Sequence, residues 1–133
     1  MIFIDNLEDM LEINIIAAYK KILGEKNLLK IPGKTLNCNS FRKIAADIII
    51  IRNEGIKKKL PDLEIVNKII FKLLIGKYFV HYNYKMALII GYIFMIMHGM
   101  TVNNFSMGNI NDDSTLDEIR ALTASWYREN ALI

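Results

Sequence analysis

Cysteine is nearly missing from this chain of 133 residues: Cys38 stands alone. No internal disulfide can form, and no cysteine-based zinc site can be assembled. That usage fits a reducing cytoplasm, and no adjacent residue offers to activate the thiol, which reads as an ordinary one. Histidine is almost as scarce. His81 and His98 are the only two, which leaves little for acid–base chemistry or metal ligation. No P-loop, H-E-x-x-H or nucleophile-elbow pattern occurs. Neither sign of charge dominates. A net charge of +3 admits an acidic or phosphorylated partner but falls short of a dedicated nucleic-acid binder. No basic, solvent-facing recognition helix stands out either. The first residues, Met1-Ile2-Phe3-Ile4-Asp5, lack a basic region and reach an acid too soon for a signal peptide.

What is present is apolar. Hydrophobic residues make up 53% of the chain and charged ones 23%, a globular composition, and the length suits one domain spanning 1–133. No repeat or low-complexity linker divides it. The longest uninterrupted apolar run, Met86 to Met97, has twelve residues. A bilayer needs roughly 20, so this run reads as a buried core helix and no membrane association is expected.

Periodicity and punctuation predict five helices. Asp5 and Glu8 form a capping-box pattern ahead of a stripe of Leu7, Leu11, Ile15, Ala18 and Ile22, which Gly24 stops. Residues 25–39 read as a loop with a turn at Pro32-Gly33. A second helix runs from Ser40 to about Asn53, with Gly55 as its stop. The β-branched run Ile48–Ile51 is strand-like by local preference, but Phe41, Ile44, Ala45 and Ile48 keep helical spacing. Pro61 suits the first position of a third helix, whose buried face is Leu63, Val66, Ile70, Leu73 and Leu74 and whose end is Gly76. The fourth, Asn83 to His98 before Gly99, is apolar all round, which predicts a helix surrounded by others. Ser114 and Asp117 open a fifth that packs through Ile119, Leu122 and Trp126. The expected architecture is an all-α, single-domain helix bundle around a central apolar helix at about 83–98.

Between the third and fourth helices lies Lys77-Tyr78-Phe79-Val80-His81-Tyr82-Asn83-Tyr84-Lys85. This segment resembles the Fic/death-on-curing motif, H-P-F-x-[DE]-G-N-[GK]-R. Phe79 and Asn83 are identical to it, and helix order extends the similarity over roughly residues 5–130. The resemblance implies a Fic/Doc-like fold and a site for ATP and Mg²⁺ at a helix N-terminus, where free N–H groups hold phosphate. It also implies AMP or phosphate transfer onto a protein hydroxyl, with the motif histidine as base and the acid holding the metal.

Position by position, the chemical groups differ. Lys77 takes the histidine's place as the candidate catalytic residue, and an exposed lysine is already protonated at neutral pH. His81 stands for the acidic metal ligand, and imidazole is a poor partner for Mg²⁺ beside a carboxylate. Tyr82 replaces the glycine, and Tyr84 is neither of the residues the motif carries at its position. Lys85 keeps the arginine's charge without its bidentate fork. Asn83, Lys85, Tyr82 and Tyr84 are the candidate nucleotide- or anion-binding residues. Asn83 reads first as a helix N-cap and second as an anion contact. Tyr78, Tyr82 and Tyr84 read as aromatic packing before base stacking.

Lys57, Lys58 and Lys59 form a basic loop, solvated or in contact with a partner. The leading expectation is a cytoplasmic, non-catalytic Fic/death-on-curing-like domain that binds a partner or a nucleotide. Its setting would be toxin–antitoxin, with a target protein or antitoxin-like partner. A transferase working with non-standard residues, and an unrelated helical interaction domain, are the alternatives.

Overall fold

The computed structural model describes residues 6–23 and 35–99. They form four helices: α1 (Leu7–Leu23), α2 (Phe41–Lys57), α3 (Asp62–Gly76) and α4 (Asn83–Met97). Each helix packs on two others, α1 on α2 and α4, and α3 on α2 and α4. The result is an all-α bundle. No helix among the described residues is long and apolar enough to cross a membrane. The Asp5 cap, the Pro32-Gly33 turn and the Ser114–Trp126 helix lie outside the described residues.

In α1 the buried stripe is Leu7, Leu11, Ile15 and Tyr19, at strict i, i+4 spacing. Leu11 and Ile15 are fully buried, and each contributes about 1.5–3 kcal/mol relative to exposure. Arg42, at the start of α2, reaches Asp9 and Glu12 at 2.6 Å and Glu8 at 3.7 Å. These pairs are half-exposed, so the apolar stripe holds α1 in place and Arg42 orients its first turns.

Ser40 caps α2, its Oγ accepting from Lys43 N–H at 3.2 Å. Gly55 does not stop this helix, contrary to expectation. It is buried inside the last turns, where a Cβ would lie 2.5 Å from Ile65 Cγ1. The stop comes four residues later, as a Schellman motif. Leu60 N–H donates to Gly55 O and Lys59 N–H to Ile56 O, both at 3.0 Å, with Lys59 left-handed at φ 57°. Pro61 sits one position before α3 rather than in it, its carbonyl accepting from Glu64 and Ile65 N–H. The Ile48–Ile51 run is helical: Ile48 is buried, and Ile50 is exposed on the opposite side.

Burial runs most of the way round α4. Tyr84, Met86, Ala87, Leu88, Ile90, Gly91, Phe94 and Met95 are buried, and only Lys85 and Tyr92 among its described side chains are exposed. Gly99, at φ 66°, follows the helix in the expected left-handed role.

At Gly91 an added Cβ would lie 2.6 Å from Ile70 Cγ1 and 2.7 Å from its Cδ1. The α3–α4 spacing therefore depends on a missing side chain. Gly91→Leu should lower stability by about 1–3 kcal/mol through overpacking, read as a fall in the urea midpoint. An unchanged midpoint would contradict this contact.

Candidate functional site

The α3–α4 turn begins where Lys77 adopts a left-handed conformation (φ 45°, ψ 53°) and reverses the chain. Tyr78 to Val80 then run extended against residues 35–37. Leu36 and Phe79 form an isolated antiparallel bridge, with Asn37 N–H to Tyr78 O at 2.8 Å and Val80 N–H to Thr35 O at 2.9 Å. The Phe79 ring is 2% exposed. It lies 4.6 Å from the Tyr19 ring and 6.3 Å from Phe41, an aromatic cluster filling the space beneath the turn.

Burying Phe79 obliges its peptide groups to find partners. The bridge uses neither its N–H nor its C=O. Asn83 meets both: its Oδ1 accepts from Phe79 N–H at 2.9 Å, and its Nδ2 donates to Phe79 O at 2.7 Å. Asn83 is itself buried. Its carboxamide therefore does not cap α4, contrary to the N-cap expectation. Asn37 Nδ2 spans Lys77 O and Phe79 O, each at 2.9 Å. The Tyr19 hydroxyl, shared between two acceptors, lies 3.3 Å from Thr35 O and 3.2 Å from His81 O. Cys38 Sγ is 3.4 Å from Ser40 O and 3.9 Å from Tyr78 O, a weak thiol contact beside the same bridge.

Tyr78 ties the turn to α2 by donating to Asp47 Oδ2 at 2.6 Å, while Lys43 Nζ meets Oδ1 at 2.9 Å. Burial and the Asp47 hydrogen bond push the Tyr78 phenol far above its ordinary range. At Asp47, burial works to raise the carboxyl. Hydrogen bonds from Tyr78 and Lys43, with the Lys43 and Lys72 charges, outweigh it and hold the group below its usual value.

α4 starts from Tyr82, whose carbonyl accepts from Met86 N–H at 2.9 Å. Tyr82 has φ 67°, the left-handed region that glycine enters without cost. Its ring is exposed, with the Lys85 ammonium 5.6 Å from its centroid and the His81 imidazole edge-on at 6.4 Å. Lys77, His81, Tyr82 and Lys85 are thus the exposed groups of the turn and the first turn of α4. Tyr84 is not among them; it is buried, and burial raises its phenol.

Lys57, Lys58 and Lys59 are exposed at the far end of α2. The turn meets α2 at Phe41 and Asp47, and the helix from Asp47 to Lys57 is roughly 15 Å long, so the three lysines do not join this site. Among the described residues no group of three His, Cys, Asp or Glu side chains converges to hold a metal. The residues that lock the turn, Tyr19, Asn37 and Asp47, went unnoticed in the sequence. Only Tyr19 left a signal, as a polar-tipped aromatic continuing the α1 stripe.

Two substitutions test this geometry. Asn83→Ala strands the buried N–H of Phe79 and should cost about 1–3 kcal/mol. Asn83→Asp should also destabilise, because a carboxylate accepts from Phe79 N–H but cannot donate to Phe79 O. A neutral Asn83→Ala would contradict the clamp. At position 82, the glycine variant should be more stable than the alanine variant by about 1 kcal/mol; the reverse order would contradict the left-handed backbone. No family model matches the chain, and neither does any curated protein or solved structure.

Proposed function

We propose that this chain is a Fic/death-on-curing-like domain that has lost transferase chemistry. Its 77–85 turn would bind a protein partner, such as a target or antitoxin-like protein, or a nucleotide, without turning it over. The observation that carries the reading is Tyr82. It occupies the motif's glycine position and has φ 67°, a conformation that costs a tyrosine and suits a glycine. The backbone thus has the shape that the motif's glycine would supply, with the side chain changed. Two further features support it. Phe79 is a core anchor, and α4 begins at Asn83, as a loop-to-helix handover at the motif requires.

On this reading the turn binds and does not react. Lys77 and His81 stand at the motif's histidine and acid positions, and neither is the group that the motif carries there. Asn83 has both ends of its carboxamide committed to Phe79. An anion would therefore meet the lysine ammoniums and the N–H groups of the first turn of α4. A partner would meet a rigid surface with an exposed tyrosine flanked by cations, the residue mix that anchors protein interfaces.

The test is binding and labelling in parallel. The protein should transfer neither AMP nor phosphate from ATP to itself or to generic targets, because base and metal ligand are each worth orders of magnitude in rate. Robust Mg²⁺-dependent labelling abolished by Lys77→Ala would establish a rebuilt transferase instead. The variant Lys77→His, His81→Asp, Tyr82→Gly and Lys85→Arg restores the motif's groups and leaves buried Tyr84 in place, since a glycine there would open a cavity. Calorimetry should detect Mg²⁺–ATP binding by this variant beyond that of the parent. A folded variant blind to nucleotide would remove the motif from the account and leave a helical interaction domain.

A further inference from the structure

Arg52 and His98 meet in the interior, 7% and 2% exposed, at the opposite end of α4 from the turn. Arg52 Nε donates to His98 Nε2 at 3.0 Å. An arginine can only donate, so Nε2 carries no hydrogen and the proton of the neutral ring is on Nδ1. Nδ1 lies 2.9 Å from Phe94 O and donates to it. The ring also stacks on Phe94, with centroids 4.1 Å apart. Every face of the imidazole is thus specified, and in its neutral form.

We infer that the Arg52–His98 contact is an acid-labile latch, fastening the end of α4 to α2 at neutral pH and opening when His98 is protonated. Protonation puts a hydrogen on Nε2, aimed at the Nε–H of Arg52. Two donors then face one another, and two cations share a buried site. The contact cannot survive in that geometry, and separation of the side chains relieves it. Gly99, left-handed at φ 66°, follows directly, so the chain next to the latch already departs from the helix.

Several groups act on the ring. Burial works against its charged form, the Phe94 carbonyl favours it, Arg52 on α2 disfavours it, Asp62 on α3 favours it, and the chain's amino group disfavours it. The balance lowers the His98 value below its usual one. The sign follows. The unfolded chain takes up the proton first as pH falls below about 6.5, so the latch's stabilisation is complete above that point and lost progressively below it.

The experiment is an NMR titration of the imidazole nitrogens from about pH 7.5 to pH 4.5, with amide exchange of residues 95–98 corrected for intrinsic chemistry. His98 should keep Nε2 unprotonated to lower pH than an ordinary imidazole does. Protection of the last turn of α4 should fall about tenfold or more as the ring titrates, while protection in the middle of α2 is retained. His98→Gln has no titrating group and should abolish that pH dependence. Arg52→Met should move the His98 titration upward. Should either variant fail to fold, the wild-type titration decides alone. An imidazole that titrates at its ordinary value, or protonates without loosening residues 95–98, overturns the latch.

Discussion

Burying an aromatic ring in a turn obliges the adjacent backbone to be satisfied without water, and that demand organises the α3–α4 connection. Phe79 is drawn in by its contact with Tyr19 and Phe41. Its own peptide groups then need partners, since a buried unsatisfied group costs about 1–3 kcal/mol. Asn83 supplies both from four residues ahead, in the way a neighbouring strand would. The carbonyls of Lys77 and His81 accept from Asn37 and Tyr19, and Tyr78 reaches across to Asp47. Three separate parts of the chain, α1, residues 35–37 and α2, converge on residues 77–82, and Asn83 at the start of α4 closes the turn.

That convergence accounts for the left-handed residues. Lys77 and Tyr82 hold backbone angles that cost a side-chain-bearing residue roughly 1–2 kcal/mol each. Such angles persist only where surrounding contacts over-determine them. The hydrogen bonds around Phe79 are numerous enough to do so. For the proposed binding role the consequence is a fixed display. Much of the backbone is hydrogen-bonded internally, and the exposed side chains are Lys77, His81, Tyr82 and Lys85. A frame of that kind suits recognition, where pre-organisation lowers the ordering cost of binding.

The helices were legible because their signals are local. Spacing of apolar residues placed α1 to α4, and Ser40 and Gly99 marked ends that the structure keeps. Gly55 misled because glycine has two uses, and here close approach to Ile65 outweighs termination. The signal that ends α2 is a left-handed lysine, Lys59, which composition does not flag. The position of Asn83 suggests a cap, whereas its partner is set by the burial of Phe79. The Leu36–Phe79 bridge and the Arg52–His98 contact join residues more than forty positions apart. Neither has a local pattern, so neither could be read before the helices were placed in space.

Residues 77–83 form a rigid, internally hydrogen-bonded turn rather than an adaptable loop. Native-state hydrogen exchange at the amides of Asn37, Phe79 and Val80 tests this, because each N–H has a named acceptor: Tyr78 O, Asn83 Oδ1 and Thr35 O. These three amides should exchange about as slowly as those in the middle of α4, opening only with the bundle. Exchange at the rate of an unstructured peptide, with α4 still protected, would contradict the claim.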